Sequence, residues 1–374
     1  MKNDFIPVAE PVLGAIEREL LLDAFDSGWI SAGGTYNKKL EEDFSSYCDM
    51  DYGSTVSNGT VALHLAVRAL DLVSGDEVIV PNFNGIYGAY ALLYEGVTPV
   101  PVDAEYGTWN IDTQLIEERI TPKTKAIMVV HLYGHPCNMN PILELAKKYN
   151  LYIIEDAAEA HGAEYNGRKA GSFGDISTFS FFSNKIITSG EGGIVLTNDA
   201  EIYKKVEYFK NQCFHVDGPR NFTHEDIGYN YRLTNLQSAI AYAQFLQIDK
   251  LVDARISINK KYREMLQDIE GISFQDEREY AKNVFWMTGI IIDSKKAGFT
   301  RNQLEDHLAR NNIQTRRLFV GMDRQPVLKK YDYFFEESFP VSDILADNGL
   351  YLPTSSLLTD SNINRITETI KQLI

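Results

Sequence analysis

Cysteine is scarce in this 374-residue chain, which has only Cys48, Cys137 and Cys213. These residues lie far apart and show no spacing typical of a metal site, so we predict neither a disulfide framework nor a bound metal. Long apolar runs are also missing, and none would cross a bilayer. The first residues, "MKNDFIPVAEPV", lack the apolar core of a signal peptide. Together these absences predict a cytoplasmic protein without a membrane partner.

Positive charge is in short supply as well. The chain has 36 lysines and arginines against 52 aspartates and glutamates, which gives a net charge of −16. Such a protein repels polyanions at long range, which argues against nucleic acids and anionic membrane surfaces as partners. An anionic substrate would therefore have to be held by local cations or by backbone amides.

Up to about residue 240, short apolar runs alternate with helical patterns. The composition, with 44% hydrophobic and 24% charged residues, is that of a globular protein. Four runs have the near-continuous apolar character of strands that are covered on both faces, at residues 76–81, 98–103, 125–132 and 151–156. A helix is predicted between the last two, at 140–150. Alternation of this kind predicts an α/β fold with a mostly parallel central sheet flanked by helices.

After Asp249 the pattern changes. A long polar helix is predicted at 251–269, followed by a strand-like run at 284–293, a helix near 301–311 and a final helix from about 360. This order predicts a smaller C-terminal α+β domain. We therefore expect a large domain at 1–249 and a small domain at 250–374.

The stretch "SNGTVALHLAVRAL", at 57–70, has the composition of a capped helix start. Ser57, Asn58 and Thr60 are capping residues, and an apolar helix follows. The free amides of a helix start and the helix dipole form a site for an anion, and Gly59 would let a phosphate approach the backbone closely. An ordinary capped helix has the same pattern, so this signal alone leaves both interpretations open.

The run "IIEDAAEAHG", at 153–162, ends a buried strand in two carboxylates. Glu155 and Asp156 would lie at the carboxyl edge of the sheet, where α/β proteins bind ligands. Asp156 is a candidate partner for a cation at that edge, and a solvated loop acid is the alternative. For Glu155 we expect the solvated acid.

Lys185 lies between two apolar runs that are predicted to be buried strands, at 176–182 and 193–197. A buried lysine is costly unless its amine is used, whereas an exposed hairpin loop would accommodate it without that cost. The order of an anion cradle, a strand-end acid and a loop lysine fits pyridoxal phosphate. This cofactor needs a phosphate cradle, an acid on its ring nitrogen and a lysine that bonds to its aldehyde. The same lysine can move a proton during the reaction.

Eight segments carry a resemblance that runs nearly from end to end of the chain: "SGWISAGG", "SNGTVALHLA", "HLYGHPCNM", "IIEDAAEAHG", "GDISTFSFFSNKIITSGEGG", "IGYNYRLTN", "VFWM" and "LPTSS". In them the chain resembles the DegT/DnrJ/EryC1/StrS family of sugar aminotransferases, which are fold-type I pyridoxal-phosphate enzymes. Within the family it is most similar to the GDP-perosamine synthase branch. Some relatives replace the lysine by histidine and are sugar dehydratases, so Lys185 favours transamination here.

The resemblance implies a role for the residues that match the family's motifs. Lys185 would hold the cofactor, Asp156 would pair with its ring nitrogen and Glu159 would face its 3-hydroxyl. The implied phosphate ligands are Gly59, Thr60 and Ser180.

One further cofactor contact would come from outside the chain. The resemblance implies that Asn230 reaches into the site of the neighbouring subunit, which requires at least a homodimer. His131 precedes a glycine-containing turn, and we expect it to be a satisfied core histidine rather than a functional one.

The segment "PNFNGIYGAY", at 81–90, departs from the family's pattern. Relatives usually carry an aromatic residue where Gly85 stands, and that aromatic stacks on the cofactor ring. They also carry threonine where Asn84 stands. Either another ring supplies the contact here or this face of the cofactor is left open. The candidate rings are Phe83, Tyr87 and Tyr90.

Two more departures fall in segments expected near the substrate. In "TRRLFVGMDRQP", at 315–326, relatives have proline at Arg317 and often histidine at Asp323, and "RNFTHED", at 220–226, lacks the Tyr-Trp pair of perosamine synthases. An extra arginine beside Arg316 would suit a phosphate, although a solvated surface residue is an equal alternative. The candidate substrate contacts are Arg316, Arg317, Tyr87 and His224.

These observations predict a pyridoxal-phosphate aminotransferase with L-glutamate as the expected donor. It would aminate the keto group of a nucleotide-activated sugar, such as a GDP-4-keto-6-deoxy sugar, for surface polysaccharide or lipopolysaccharide. The alternative is the same transamination of a small phosphorylated ketone such as dihydroxyacetone phosphate, in capsule modification. A non-catalytic regulatory protein on the same fold is a third hypothesis, against which Lys185 and Asp156 argue.

Overall fold

The computed structural model describes residues 4–214, 222–331, 333 and 337–374. The described helices are α1 (Ala15–Asp26), α2 (Thr35–Tyr47), α3 (Gly59–Ala69), α4 (Tyr87–Tyr94), α5 (Met139–Tyr149), α6 (Ala200–Lys210), α7 (Asn235–Phe245), α8 (Ile248–Leu266), α9 (Ser294–Ala297), α10 (Arg301–Arg310), α11 (Pro326–Lys330), α12 (Pro340–Asn348) and α13 (Asp360–Lys371). The described strands are β1 (Tyr52–Val56), β2 (Glu77–Pro81), β3 (Thr98–Val102), β4 (Thr124–Val130), β5 (Tyr152–Asp156), β6 (Glu164–Tyr165), β7 (Arg168–Lys169), β8 (Ile176–Ser180), β9 (Gly193–Thr197), β10 (Ile272–Phe274), β11 (Ala281–Lys282), β12 (Thr288–Ile292), β13 (Arg316–Arg317) and β14 (Gly349–Leu352).

The central sheet has seven strands within the described residues, in the order β1-β9-β8-β5-β4-β2-β3. The pairs β2–β3, β2–β4, β4–β5 and β5–β8 are parallel, while β9 runs antiparallel to both β8 and β1. The apolar runs form these strands because both faces of the sheet are covered, and every residue of β8 and β9 is buried. The predicted α/β fold with a mostly parallel sheet is confirmed.

Helix α3 packs between the central sheet and the neighbouring helices. It begins at the edge of the sheet where the candidate active site, described below, lies. The Asn58 side chain caps it by accepting a hydrogen bond from the Val61 amide at 3.0 Å. Most of the helix is apolar and buried, because it packs on β8 and β9 and against α4 and α6. The carboxyl ends of β5 and β8 open toward the same edge as this helix start, as expected for parallel strands.

The C-terminal part contains an antiparallel sheet in the order β10-β12-β14-β13, with α8, α10 and α13 around it. The smaller α+β unit is therefore present. Its first long helix begins at Ile248, close to the predicted change of pattern. The start of the chain also joins this unit, since the Ile6 amide donates to the Asn312 carbonyl at 2.8 Å. The exact division at residues 249 and 250 stays a prediction.

None of the helices in the described ranges combines the length and apolar character that crossing a membrane requires.

Candidate active site

Lys185 lies in the connection between β8 and β9, which are antiparallel neighbours. The connection is topologically a hairpin, yet the Lys185 side chain is only 11% exposed. Its Nζ lies 3.9 Å from the centre of the Trp286 ring and 3.6 Å from Glu159 Oε1. Burial lowers the pKa of this amine, while Glu159 and Asp156 oppose that shift. The alternative of an exposed loop lysine is therefore wrong.

Two carboxyl groups face this amine. Asp156 is the last residue of β5 and is buried, with one oxygen accepting from the Ala158 amide at 3.1 Å. Burial raises the pKa of Asp156, and the Ala158 amide and Lys185 only partly oppose this. Burial likewise raises the pKa of Glu159 to about 7, although its Oε2 accepts from the Tyr133 amide at 2.8 Å. A positive charge in this space would stabilise the ionised form of Asp156.

Gly59 and Ser180 come together at the start of α3. A Cβ placed on Gly59 would lie 2.8 Å from Ser180 Cβ, closer than real Cβ atoms approach, so glycine is needed there. Because Asn58 caps the third amide of the turn, the amides of Gly59 and Thr60 remain without a partner in the described part of the chain. These amides and the Ser180 hydroxyl provide the donors of an anion cradle.

The donor set therefore fits pyridoxal phosphate. A cradle of unpaired amides suits its phosphate, a buried carboxyl suits its ring nitrogen, and a shielded amine suits its aldehyde. Each of these groups lies at the carboxyl edge of the same sheet or in the loop that follows it.

Comparison with known proteins gives the same result. The sequence profile of the DegT/DnrJ/EryC1/StrS aminotransferase family matches residues 12–371. The chain belongs to this family. Its members depend on pyridoxal phosphate, and the protein is accordingly a pyridoxal-phosphate aminotransferase. The predicted enzyme class and cofactor are confirmed.

Two curated relatives and one solved structure illustrate the similarity. The GDP-perosamine synthase of Escherichia coli O157:H7 is 42% identical and is aligned over 98% of both chains. The GDP-perosamine synthase of Caulobacter vibrioides is 39% identical, over 99% of this chain and 98% of its own length. A GDP-4-keto-6-deoxymannose-3-dehydratase with bound GDP-perosamine superimposes with a TM-score of 0.91 at 26% identity, over 98% of this chain and 100% of that one.

An aromatic wall, formed by Tyr133, Trp286, Phe319 and Tyr351, encloses one side of the aminotransferase site. Tyr133 packs against the other three, at ring-centre distances of 5.3–6.2 Å. The Trp286 indole donates to the Asn184 carbonyl at 2.8 Å and so fixes the loop that carries Lys185. None of these four rings was predicted as a site residue. The signal for Trp286 is the motif "VFWM", one of the segments that carry the resemblance to the family.

Asn230 does not meet Lys185 within the chain. It is exposed between Tyr229 and Tyr231, whose rings stack at 4.8 Å, and the Ser57 amide donates to the Tyr231 carbonyl at 2.8 Å. The Asn230 side chain makes no hydrogen bond to any described residue. This segment is therefore anchored beside the cradle with Asn230 turned outward, and its contact with a neighbouring subunit stays a prediction.

The paired arginines diverge. They form the two-residue strand β13, so their side chains point to opposite faces. Arg317 pairs with Glu305 through Nε at 2.9 Å. Arg316 is aligned with Tyr351 of β14, at the end of the aromatic wall, and its charge opposes the burial that raises the pKa of the Tyr351 phenol. The structure brings Arg316 to the site and leaves Arg317 outside it.

Two of the three departures from the family's pattern meet in one contact. The Asn82 side-chain amide donates to Asp323 Oδ1 at 2.8 Å, and the Asp323 amide donates back to Asn82 Oδ1 at 3.2 Å. The loop that carries Gly85 is thus joined to the segment that follows Arg317. Tyr87 begins α4 just beyond this loop, with its ring against Gly85.

The third departure lies elsewhere. Within the described residues, the His224 ring donates one hydrogen bond, from its Nδ1–H to the Gln212 carbonyl at 2.8 Å, and packs on Phe214. It makes no described contact with the group around Lys185. Residues 220 and 221 of the same segment lie outside the described residues.

The prediction that Glu155 is a solvated acid is wrong. Glu155 is fully buried and accepts hydrogen bonds from the Gly171, Phe173 and Gly174 amides at 2.6–2.8 Å. His131 Nε2 lies 2.9 Å from it, and His131 Nδ1 accepts from the Cys137 amide at 3.0 Å. His131 is therefore a satisfied core histidine, as expected. The contact between His131 and Glu155 links the end of β4 to β5 next to the site.

Proposed function

We propose that the enzyme transfers an amino group from L-glutamate to the keto group of a nucleotide-activated sugar, in the synthesis of a surface polysaccharide. The observation that carries this proposal is the shielded Lys185 amine, which faces Asp156 and Glu159 beside the Gly59–Ser180 cradle. Pyridoxal phosphate, when bound, supplies an electron-accepting ring that stabilises negative charge on the substrate carbon. The remaining steps fall to the chain's own groups.

Each of these groups has a task set by its surroundings. We infer that Lys185 Nζ takes a proton from the substrate carbon and returns it, because burial lowers its pKa and enlarges the neutral fraction that can accept a proton. Asp156 would hold the proton on the ring nitrogen by pairing with it. The amides of Gly59 and Thr60, with the Ser180 hydroxyl, would hold the phosphate. Glu159 would orient the ring through its 3-hydroxyl.

The choice of amino acceptor rests on the names of the relatives and on one positively charged side chain, that of Arg316. The relatives at 42% and 39% identity are named GDP-perosamine synthases, so a GDP-4-keto-6-deoxy sugar is our first choice. Arg316 is the candidate for contact with the substrate's diphosphate, because it lies at the aromatic wall and can bind phosphate through two parallel hydrogen bonds. The small phosphorylated ketone, suggested by the altered loop at Gly85 and by the paired arginines, is not favoured, because the relatives are named as nucleotide-sugar enzymes. In addition, Arg317 is paired with Glu305.

A direct comparison of acceptors tests this choice. With glutamate as donor, GDP-4-keto-6-deoxymannose should have a kcat/KM at least about a hundredfold above that of dihydroxyacetone phosphate, or roughly 2.7 kcal/mol of transition-state discrimination. Arg316→Ala should raise KM for the nucleotide sugar, whereas Arg317→Ala, the matched control, should not. A higher efficiency with dihydroxyacetone phosphate would reverse the choice of acceptor without affecting the assignment as an aminotransferase.

We also propose that the active unit is a homodimer with shared sites. Asn230 is turned outward, and exposed apolar side chains surround the same region of the chain. Trp29, Ile30 and Ile227 are each at least half exposed, which is typical of a surface that another subunit covers. A symmetric dimer would bury this surface twice and bring each Asn230 to the partner's cradle.

Subunit mixing tests the shared site. Lys185→Ala and Asn230→Ala chains should each be inactive or strongly impaired, but a mixed dimer contains one site with both native residues. After equal mixing and exchange, about a quarter of all sites should regain activity. If exchange is verified by mass and no activity returns, the two residues serve the same chain's site and the proposed sharing is wrong.

A further inference from the structure

Tyr87 is an aromatic residue without an evident structural reason for its position. It is the first residue of α4, and its side chain is 53% exposed. About half of the Tyr87 side chain is left uncovered by the rest of the described chain. The ring therefore has a face available to a ligand.

Gly85 makes room for this ring. A Cβ built on Gly85 would lie 2.7 Å from Tyr87 Cε2 and 2.9 Å from Tyr87 Cδ2, which no real Cβ contact allows. The backbone does not explain the glycine, because Gly85 is not among the residues with positive φ. Since the φ angle of residue 85 does not require glycine, the contact that a side chain there would disturb is the one with the Tyr87 ring, which would have to move.

The Tyr87 ring also lies beside the aromatic wall. The position that a Gly85 Cβ would take is 3.6 Å from Phe319 Cε1, and Phe319 packs on Tyr133 at 5.3 Å. The pKa of Tyr351 is raised chiefly by burial, with smaller contributions from Glu159 and from Tyr87. Tyr351 thus lies within electrostatic range of both the cofactor-facing acid and the Tyr87 phenol.

The loop that carries Gly85 is held in place. The Met322 amide donates to the Asn82 carbonyl at 3.0 Å, and the Asn82 side chain is joined to Asp323 as described above. Tyr87 follows this loop by a few residues, and its helix packs on α3, the helix that begins with the cradle. The Asn82 contacts and the packing of α4 on α3 together fix the position of the Tyr87 backbone relative to the cradle.

We propose that Tyr87, seated over Gly85, is the aromatic residue against which the ring of bound pyridoxal phosphate packs. Residues 85 and 87 then act as a pair in which a glycine at one position allows an aromatic residue at the other. The proposal deepens the proposed function and rests on it, since it concerns the cofactor of the same site. It assigns Tyr87 to cofactor binding and leaves the substrate phosphate to Arg316.

Cofactor affinity tests the proposal without any sugar or amino donor. In full-length protein from which the cofactor has been removed, Tyr87→Ala should raise the Kd for pyridoxal phosphate about three- to tenfold. This is the range expected for the loss of one aromatic pair. Tyr87→Phe keeps the ring and should bind as the wild type does. Tyr152→Ala, at the opposite end of β5 from Asp156, removes another exposed tyrosine and should leave the Kd unchanged.

A reciprocal exchange tests the pair itself. Gly85→Tyr alone should weaken cofactor binding, because the new side chain collides with Tyr87. Adding Tyr87→Ala to Gly85→Tyr removes the collision and supplies a ring from residue 85, so the double variant should bind more tightly than Gly85→Tyr. Visible circular dichroism of the bound cofactor reports its asymmetric surroundings, and thermal unfolding of the cofactor-free variants checks that each one is folded.

Three results would overturn the proposal: a wild-type Kd in Tyr87→Ala, an equal loss in Tyr87→Phe, or no recovery in the double variant. The second would mean that the hydroxyl and not the ring face matters. None of them bears on the acceptor comparison, which uses turnover of the wild-type enzyme. Failure of the Tyr87 proposal and failure of the proposed function are therefore distinguishable.

Discussion

Lys185→Ala is expected to lower the rate of amino transfer at least about a thousandfold, or roughly 4 kcal/mol of transition-state stabilisation. In the roles proposed for Lys185, the substitution would remove both the amine that bonds to the cofactor aldehyde and the group that moves the proton. Because the phosphate cradle at Gly59 and Ser180 does not involve Lys185, the variant should still bind pyridoxal phosphate, although without the visible spectrum of the lysine-bound form. Single-turnover kinetics with glutamate measure the loss.

Lys169→Ala is the matched control for this loss. Lys169 is also shielded, at 18% exposure, and pairs with Glu164 at 2.6 Å, but it lies on β7 outside the site. Its removal should cost some stability and little activity. Transamination by Lys185→Ala within tenfold of the wild-type rate would contradict the role assigned to this lysine.

Asp156→Asn should lower the rate at least about a hundredfold while leaving the fold intact, because it would remove the charge proposed to pair with the ring nitrogen. The asparagine oxygen can still accept from the Ala158 amide. Burial raises the pKa of Asp156, which means that the folded protein disfavours its charged form. Neutralising it should therefore not lower the melting temperature of the cofactor-free protein. The rate and the melting curve together separate a catalytic loss from unfolding.

Asp175→Asn provides the comparison for this acid. Asp175 accepts from the Ile153 amide at 2.7 Å, near the opposite end of β5, and burial raises its pKa as well. Asp175 precedes β8, whereas Lys185 follows it, so the two residues lie at opposite ends of this strand. The substitution of Asp175 should therefore leave the rate within a few-fold of the wild type. Equal rates in Asp156→Asn and the wild type would make Asp156 a loop acid without a role in the reaction.

Much of the fold could be predicted because strand character is local. The apolar runs that predicted strands at 76–81 and 151–156 agree with β2 and β5 to within a residue or two, since a strand covered on both faces needs apolar side chains throughout. The direction of β9 could not be predicted in this way. An antiparallel strand inside the sheet has the same kind of apolar run as the parallel strands, and the long loop around Lys185 does not specify whether the chain returns parallel or antiparallel.

The surroundings of single site residues could not be predicted from the sequence for a similar reason. The Glu155 carboxylate can be buried because it accepts from the amides of Gly171, Phe173 and Gly174, and only the fold brings these amides to it. A carboxylate at a strand end has no local signal for such partners. The two arginines were ambiguous for a related reason, because a strand as short as β13 has no periodicity from which opposite faces could be assigned.

The position of the cofactor bond is the central claim, and borohydride reduction followed by peptide mapping measures it most directly. Reduction converts a cofactor that is bound to a lysine into a stable secondary amine, whose site mass spectrometry can locate. We expect pyridoxyl modification at Lys185 in the wild-type protein and none at any other lysine, with the modification absent from Lys185→Ala. Modification of a different lysine, or binding of pyridoxal phosphate with no modification at all, would contradict it.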